Sequence, residues 1–130
     1  MLNFGENTVL DKCHFVKGDW SEIISELASD SIKSPTSSIT RPDKFDIVTG
    51  CDIIYETKHY PALVELISSL CKSEGKAIIA SKAYYYGNGG SIAEFKDFIN
   101  KDARFQYGLM LNVDTGMSNR REVFSVTKLG

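Results

Sequence analysis

Cysteine is scarce in this chain: Cys13, Cys51 and Cys71 are the only three, an odd number set far apart. That spacing excludes a disulfide framework, and no CxxC or Cys/His cluster at zinc spacing gives reason to expect a metal. Histidine is scarcer still, and neither His14 nor His59 has the third partner that a hydrolytic triad requires. His14 is expected beside a strand and His59 as a cap or solvent-facing residue at a helix start. An excess of one charge is missing too: 15 Lys and Arg stand against 17 Asp and Glu, and Arg120-Arg121 is the one tight basic doublet. A protein that grips nucleic acid by neutralising phosphates carries more, so no nucleic-acid partner is expected. The opening MLNFGENTVLDK does not read as a secretory signal. No apolar run approaches the ~20 residues of a membrane span. These absences lead to the expectation of reduced cysteines in an intracellular protein, cytoplasmic or nuclear, away from membranes.

What is present suffices for one domain over residues 1–130, with 42% apolar and 11% aromatic residues to build a core. A chain of this size buries about two-thirds of its unfolded surface without staples. Residues 13–17 predict a short strand closed by Gly18. Asp19 and Glu22 then form a capping box ahead of Ile23, Ile24, Leu27 and Ala28 at helical spacing. Residues 30–44, rich in Ser and Thr and holding Pro35 and Pro42, predict a long surface loop. Phe45 to Cys51 reads as a buried strand running on through Asp52-Ile53-Ile54-Tyr55. Pro61 opens a helix with a Leu63, Val64, Ile67, Leu70, Cys71 stripe, which Glu74-Gly75 is expected to end. Residues 76–82 predict a second buried strand. After the glycine loop 87–90, Ser91 and Glu94 make another capping box for a helix facing inward through Ile92, Phe95, Phe98 and Ile99. The last two strands, Phe105–Val113 and Arg121–Lys128, flank a turn at 114–119.

Strands alternating with helices of this length imply an α/β protein of parallel βαβ units covered on both faces, closed by an antiparallel terminal hairpin. In such sheets ligands collect at the carboxyl ends of the strands. That edge gathers Asp19-Trp20, Cys51 to Tyr55, and Tyr84-Tyr85-Tyr86-Gly87-Asn88-Gly89-Gly90-Ser91. Trp20 is either a half-buried core aromatic or the flat wall of an adenine pocket, with Asp19 placed to accept from the exocyclic amine. Asp52 and Tyr55 either share one cleft, the carboxylate orienting a donor and the phenol holding the reacting group, or Asp52 merely caps a helix. The glycine loop 87–91 either cradles an anion with its backbone amides or makes a tight turn beneath an exposed aromatic cluster. It has no Gly-Lys-Ser/Thr, so it is not a P-loop. Lys82 is expected to snorkel at its strand end.

Phe15-Val16-Lys17-Gly18-Asp19-Trp20-Ser21, Phe45-Asp46-Ile47-Val48, Asp52-Ile53-Ile54-Tyr55 and, above all, Ala80-Ser81-Lys82-Ala83-Tyr84-Tyr85-Tyr86-Gly87-Asn88-Gly89-Gly90 carry a family likeness. From Cys13 to its end the chain resembles the carboxyl-terminal half of the seven-β-strand methyltransferases, and more closely the histidine protein methyltransferase family. The resemblance implies a Rossmann-like sheet, mostly parallel with a terminal antiparallel hairpin and lacking the first two strands. It implies S-adenosylmethionine as cofactor and methyl transfer to a protein substrate, in that family a histidine nitrogen, typically of a ribosomal protein. Asp19, Trp20 and Cys51 would then contact the cofactor, with Asp52 and Tyr55 as the catalytic pair. Tyr84, Tyr85, Tyr86, Gly87, Asn88, Gly89 and Gly90 would border the substrate peptide. Asp52 stands where the histidine-specific branch carries Glu, which keeps lysine open as the target. The family's glycine-rich cofactor loop has no counterpart here, so the alternative is a catalytically silent, methyltransferase-like binding module. A small anion-binding domain built on residues 87–91 is a second rival. Missing strands would leave backbone groups unpaired at an open sheet edge. The expectation is that the missing half was trimmed, or that residues 13–17 re-pair directly beside Phe45–Cys51; a homodimer is a further way to cover the edge.

Overall fold

Stretches rich in β-branched and aromatic residues form four strands, and apolar residues at i, i+3 and i+4 turn three others into helices. The computed structural model describes residues 13, 15–28, 44–116 and 119–130. In chain order they form helix α1 (Trp20–Ala28), strand β1 (Phe45–Cys51), a 3₁₀ turn (Thr57–His59), helix α2 (Tyr60–Leu70), strand β2 (Cys71–Lys82), helix α3 (Ile92–Asn100), and strands β3 (Phe105–Val113) and β4 (Arg121–Lys128). His14 and residues 30–43 of the expected loop lie outside the described residues. Lys44 is irregular chain leading into β1.

The four-stranded sheet has the order β1-β2-β4-β3. It is mixed α/β rather than mostly parallel: β1 and β2 pair parallel, whereas β2–β4 and β4–β3 pair antiparallel. The reason is connectivity. Helix α2 returns the chain to lay β2 alongside β1 in the same direction, as a parallel pair demands. After α3 the chain runs to the far edge as β3, and β4 folds back between β3 and β2, antiparallel to both. The terminal hairpin therefore forms with β4 inside and β3 at the edge.

Two local expectations fail for identifiable reasons. Cys13 and residues 15–17 lie outside any strand, and Phe15 is 82% exposed. Two adjacent apolar residues are too few to hold a ladder, and Gly18, at φ 151°, turns the chain directly into α1. The free edge of β1 therefore has no partner among the described residues. The helix stop expected at Glu74-Gly75 comes earlier, at Leu70, because Cys71 is already extended (φ −82°, ψ 139°). Glu74 (φ 68°) and Gly75 instead form a bulge in which Cys71 to Lys76 spans only Phe45 to Ile47 of β1. Gly75 suits the bulge by size, since a Cβ there would stand 2.9 Å from the carbonyl oxygens of both Phe45 and Lys72.

The core lies on one face of the sheet. Ala77 and Ile79 of β2 stand in register with Val126 and Phe124 of β4. Leu63, Val64 and Ile67 of α2 and Ile92, Phe95 and Ile99 of α3 cover them. The Tyr60 and Phe95 rings meet edge to face at 5.0 Å and lock α2 to α3. α1 packs on α2. Coverage on both faces is thus not what the described helices provide, because all three stack on one side. The opposite face presents Ile47, Ile78, Val123, Leu111 and Val113, with Ile47 57% and Leu111 55% exposed. Among the described residues no helix is long and apolar enough to cross a membrane.

Tyr107 reports on the packing of this core. Its ring stacks on Phe124 at 5.0 Å, and burial, reinforced by the charge of Glu122, pushes its phenol up to about 12. The neutral phenol is the form the fold favours. Its stabilisation is therefore complete below the ordinary tyrosine value of 10.0 and is lost as pH rises through about 12. Alkaline titration followed at 295 nm should show a late-ionising tyrosine that is absent from Tyr107→Phe. A Tyr107→Phe curve superimposable on the parent's would contradict this packing.

Candidate active site

β1 and β2 end side by side, with Cys51 level with Ala80. The chain leaves β1 through Asp52, whose amide still donates to the Ala80 carbonyl at 2.9 Å. Asp52 takes φ 52°, a left-handed conformation that costs a non-glycine residue roughly 1–2 kcal/mol and that aspartate tolerates better than most. There Tyr85, from the loop after β2, donates its O–H to Asp52 Oδ1 at 2.6 Å. The Tyr85 oxygen also accepts from the Lys82 amide at 3.4 Å and lies 2.8 Å from the Ser81 hydroxyl. The Cys51 thiol donates to Asp52 Oδ2 at 3.8 Å.

These contacts set the protonation of the pair. The Tyr85 hydrogen bond holds the Asp52 carboxyl below its ordinary value, assisted by the cations of Arg121 and Lys82 and opposed by burial. Burial pushes the Tyr85 phenol up, and the neighbouring Asp52 adds to it. At neutral pH Asp52 is therefore a carboxylate and Tyr85 a neutral donor. Such a carboxylate accepts and orients a donor; it is not poised to give up a proton.

A row of rings leads away from this pair. Tyr85 meets Tyr55 edge-on at 6.4 Å, Tyr55 meets His59 at 6.5 Å, and His59 meets Trp20 at 5.9 Å. Trp20, Tyr55 and His59 line a cleft of about 440 Å³ together with Gly18, Asp19 and Ser21. The Trp20 ring thus lines the cleft and also packs against the core. Half of the expected capping box positions Asp19: its amide donates to the Glu22 carboxylate at 3.1 Å. Cys51 is exposed beside Asp52 and is not part of the cleft lining.

The glycine loop is tied to the backbone that follows β1. Gly90 is buried, and its amide donates to the Tyr55 carbonyl at 3.0 Å, while the Tyr85 amide donates to the Gly90 carbonyl at 2.9 Å. The Ser91 amide donates to the Tyr60 hydroxyl at 3.2 Å, and the Ser91 hydroxyl accepts from Glu94 at 3.0 Å as the expected cap of α3. With the Gly90 and Ser91 amides engaged, the loop splices residues 84–91 onto 54–55, and those two amides are not free for an anion. Gly87 (φ 79°) and Gly89 (φ 83°) supply its turns. Tyr84, Tyr86 and Asn88 line a second cavity of about 470 Å³ with Tyr85, Lys82 and Arg121. The hydroxyls of Tyr84 and Tyr86 are 2.7 Å apart.

His59 stands at the start of α2 with its side chain 45% exposed, as expected of it, but it makes no side-chain cap bond. What sequence reasoning did not foresee is that its ring lies between Trp20 and Tyr55. The four-residue spacing from Tyr55 was the available signal. Ser81 and Arg121 were also unforeseen, because only strand register brings them near Asp52.

A family model described as lysine methyltransferase matches residues 14–100, more than half of the chain. The chain belongs to this family. Individual relatives extend the likeness. The histidine protein methyltransferase 1 homolog of Dictyostelium discoideum is 28% identical over 127 residues, which is 98% of this chain and 36% of that protein. The homologs of the same name from Bos taurus and Rattus norvegicus are 29% and 26% identical over 83% and 82% of this chain, in each case 27% of the relative. The chain thus spans about a third or less of the length of these curated relatives. Within the methyltransferase match fall Asp52, Tyr55, Tyr85, His59 and Trp20, the whole aromatic row with its terminal carboxylate.

Proposed function

We propose that this chain is the carboxyl-terminal part of a Rossmann-like methyltransferase domain. The whole enzyme would transfer a methyl group from S-adenosylmethionine to a histidine side chain of a protein in the cytoplasm or nucleus. The observation carrying this is the ionised Asp52, anchored by Tyr85 at one end of a row of rings whose other members, Tyr55, His59 and Trp20, line a cleft. The cleft suits the adenine end of the cofactor. Its volume of about 440 Å³ falls in the usual range for small-molecule sites, Trp20 offers a flat wall, and Asp19 a carboxylate for an amine donor. Asp19 and Trp20 would hold that end. When bound, the cofactor supplies a methyl group on a sulfonium, which leaves without help from an acid.

The protein's own task is then alignment and exclusion of water. Asp52 would accept the N–H of the target imidazole, fixing its tautomer and leaving the other nitrogen's lone pair free to attack. Tyr55 would shape the lip of the cleft, and Tyr84, Tyr86 and Asn88 would border the substrate chain. A permanent carboxylate at this place favours histidine over lysine, because it would hold a lysine in its protonated, non-nucleophilic form.

Calorimetric titration of S-adenosylmethionine into the chain, with molecular mass measured on the same sample, should give saturable heat that Trp20→Ala removes. No saturable heat at millimolar cofactor would leave only a binding module. Amino-acid analysis of protein labelled by the intact enzyme should show methylhistidine; methyllysine in its place would overturn the target assignment.

A further inference from the structure

We infer that Tyr85 is a positioning residue: its hydroxyl fixes the Asp52 carboxylate in the orientation that receives the substrate's N–H. This deepens the function proposed above and rests on it for the identity of the substrate. Asp52 follows the last residue of β1 in a left-handed backbone conformation. A short side chain on such a turn has no helix or strand to brace it. What braces it comes from 33 residues away, as a 2.6 Å O–H···O bond in the charge-assisted range.

The carboxylate is the strongest acceptor within reach of the phenol's proton, because it is ionised and can only accept. The Lys82 amide donates to the Tyr85 oxygen, and the Ser81 hydroxyl lies 2.8 Å from it and 3.0 Å from the Lys82 carbonyl. The ring itself is confined by Tyr55 at 6.4 Å and by the Lys82 ammonium at 5.8 Å from its centre. One carboxylate oxygen, Oδ1, is thus taken by Tyr85, and the other, Oδ2, meets only the long thiol contact of Cys51. Oδ2 is the oxygen left for a substrate donor. The charged groups acting on Asp52 are Arg121 and Lys82, which assist the Tyr85 hydrogen bond in holding the carboxyl ionised. Tyr85, placed by sequence reasoning among the residues bordering the peptide, is assigned to the carboxylate instead.

Two variants change the hydroxyl while keeping the ring. Tyr85→Phe deletes the donor; 3-fluorotyrosine at position 85 makes it a stronger one. The ¹³Cγ titration of Asp52 in this chain should move up in Tyr85→Phe, toward the ordinary carboxyl value of 3.8, and further down in the fluorotyrosine form. A merely structural role would not produce opposite displacements. In the intact enzyme Tyr85→Phe should lower kcat roughly 10- to 100-fold with little change in KM, and move the acid limb of the pH–rate profile upward. An Asp52 midpoint unmoved in both forms would overturn the inference. Because that readout needs no methyl transfer, it would do so whatever the labelling experiment says about the target.

Discussion

Asp52→Asn in the intact enzyme is expected to reduce methyl transfer by about 10³–10⁴-fold, the scale of loss when a reacting histidine is held in the wrong tautomer. Asparagine is nearly isosteric and tolerates the left-handed conformation that Asp52 occupies at φ 52°, so the fold should survive the change. Tyr85 can still donate to the remaining carbonyl oxygen. What changes is the second position, where an acceptor becomes an NH₂ donor facing the imidazole N–H. That meeting of two donors favours the tautomer whose lone pair points away from the methyl group. Labelled methyl incorporation at saturating substrate measures the effect, with circular dichroism to confirm folding. Unchanged turnover would remove Asp52 from the role.

Gly90→Ala should be the most damaging single methyl group that can be added near the site. A Cβ at Gly90 would run into the Ile54 carbonyl oxygen and the Tyr55 backbone, atoms that cannot swing aside as a side chain can. Relief requires the loop to lift, which breaks the Gly90–Tyr55 and Tyr85–Gly90 backbone bonds and carries Tyr85 away from Asp52. Overpacking and two lost hydrogen bonds together amount to roughly 3–5 kcal/mol, a large share of a small domain's stability. Gly89→Ala is the informative control. Nothing lies within 4 Å of a Cβ there, and only the φ of 83° is unfavourable, so it should cost about 1–2 kcal/mol. Urea midpoints of the two variants decide the matter. Equal losses would mean that the close approach at Gly90 is unimportant.

The contrast between these glycines shows where sequence was informative. The ends of β3 and β4, the start of β1 and the Ser91–Glu94 cap of α3 were legible because each depends on neighbours within a few residues. Glu74-Gly75 was misread because a left-handed residue followed by glycine looks the same whether it ends a helix or bulges a strand. Only the approach of Phe45 from β1 distinguishes the two. The mixed sheet was missed for a related reason: β3 and β4 announce a hairpin, but not that β4 will lie inside it against β2. In the site, Asp52, Tyr55 and Trp20 stood out by residue type and by position after strands. Their coupling through His59 and Tyr85 did not, since it is made by rings and a hydroxyl that meet only in the folded chain.

The sheet face carrying Ile47, Ile78, Val123, Leu111 and Val113 has a thermodynamic consequence. Apolar surface left open beside a parallel strand pair gains about 25 cal/mol for each Å² that any neighbour covers, and the gain belongs to the folded form alone. The unfolding midpoint of this segment is therefore tied by mass action to whatever comes to rest on that face, another stretch of polypeptide or a second copy. Coverage by a second copy would make that midpoint rise with protein concentration, whereas coverage by a stretch of the same polypeptide would not.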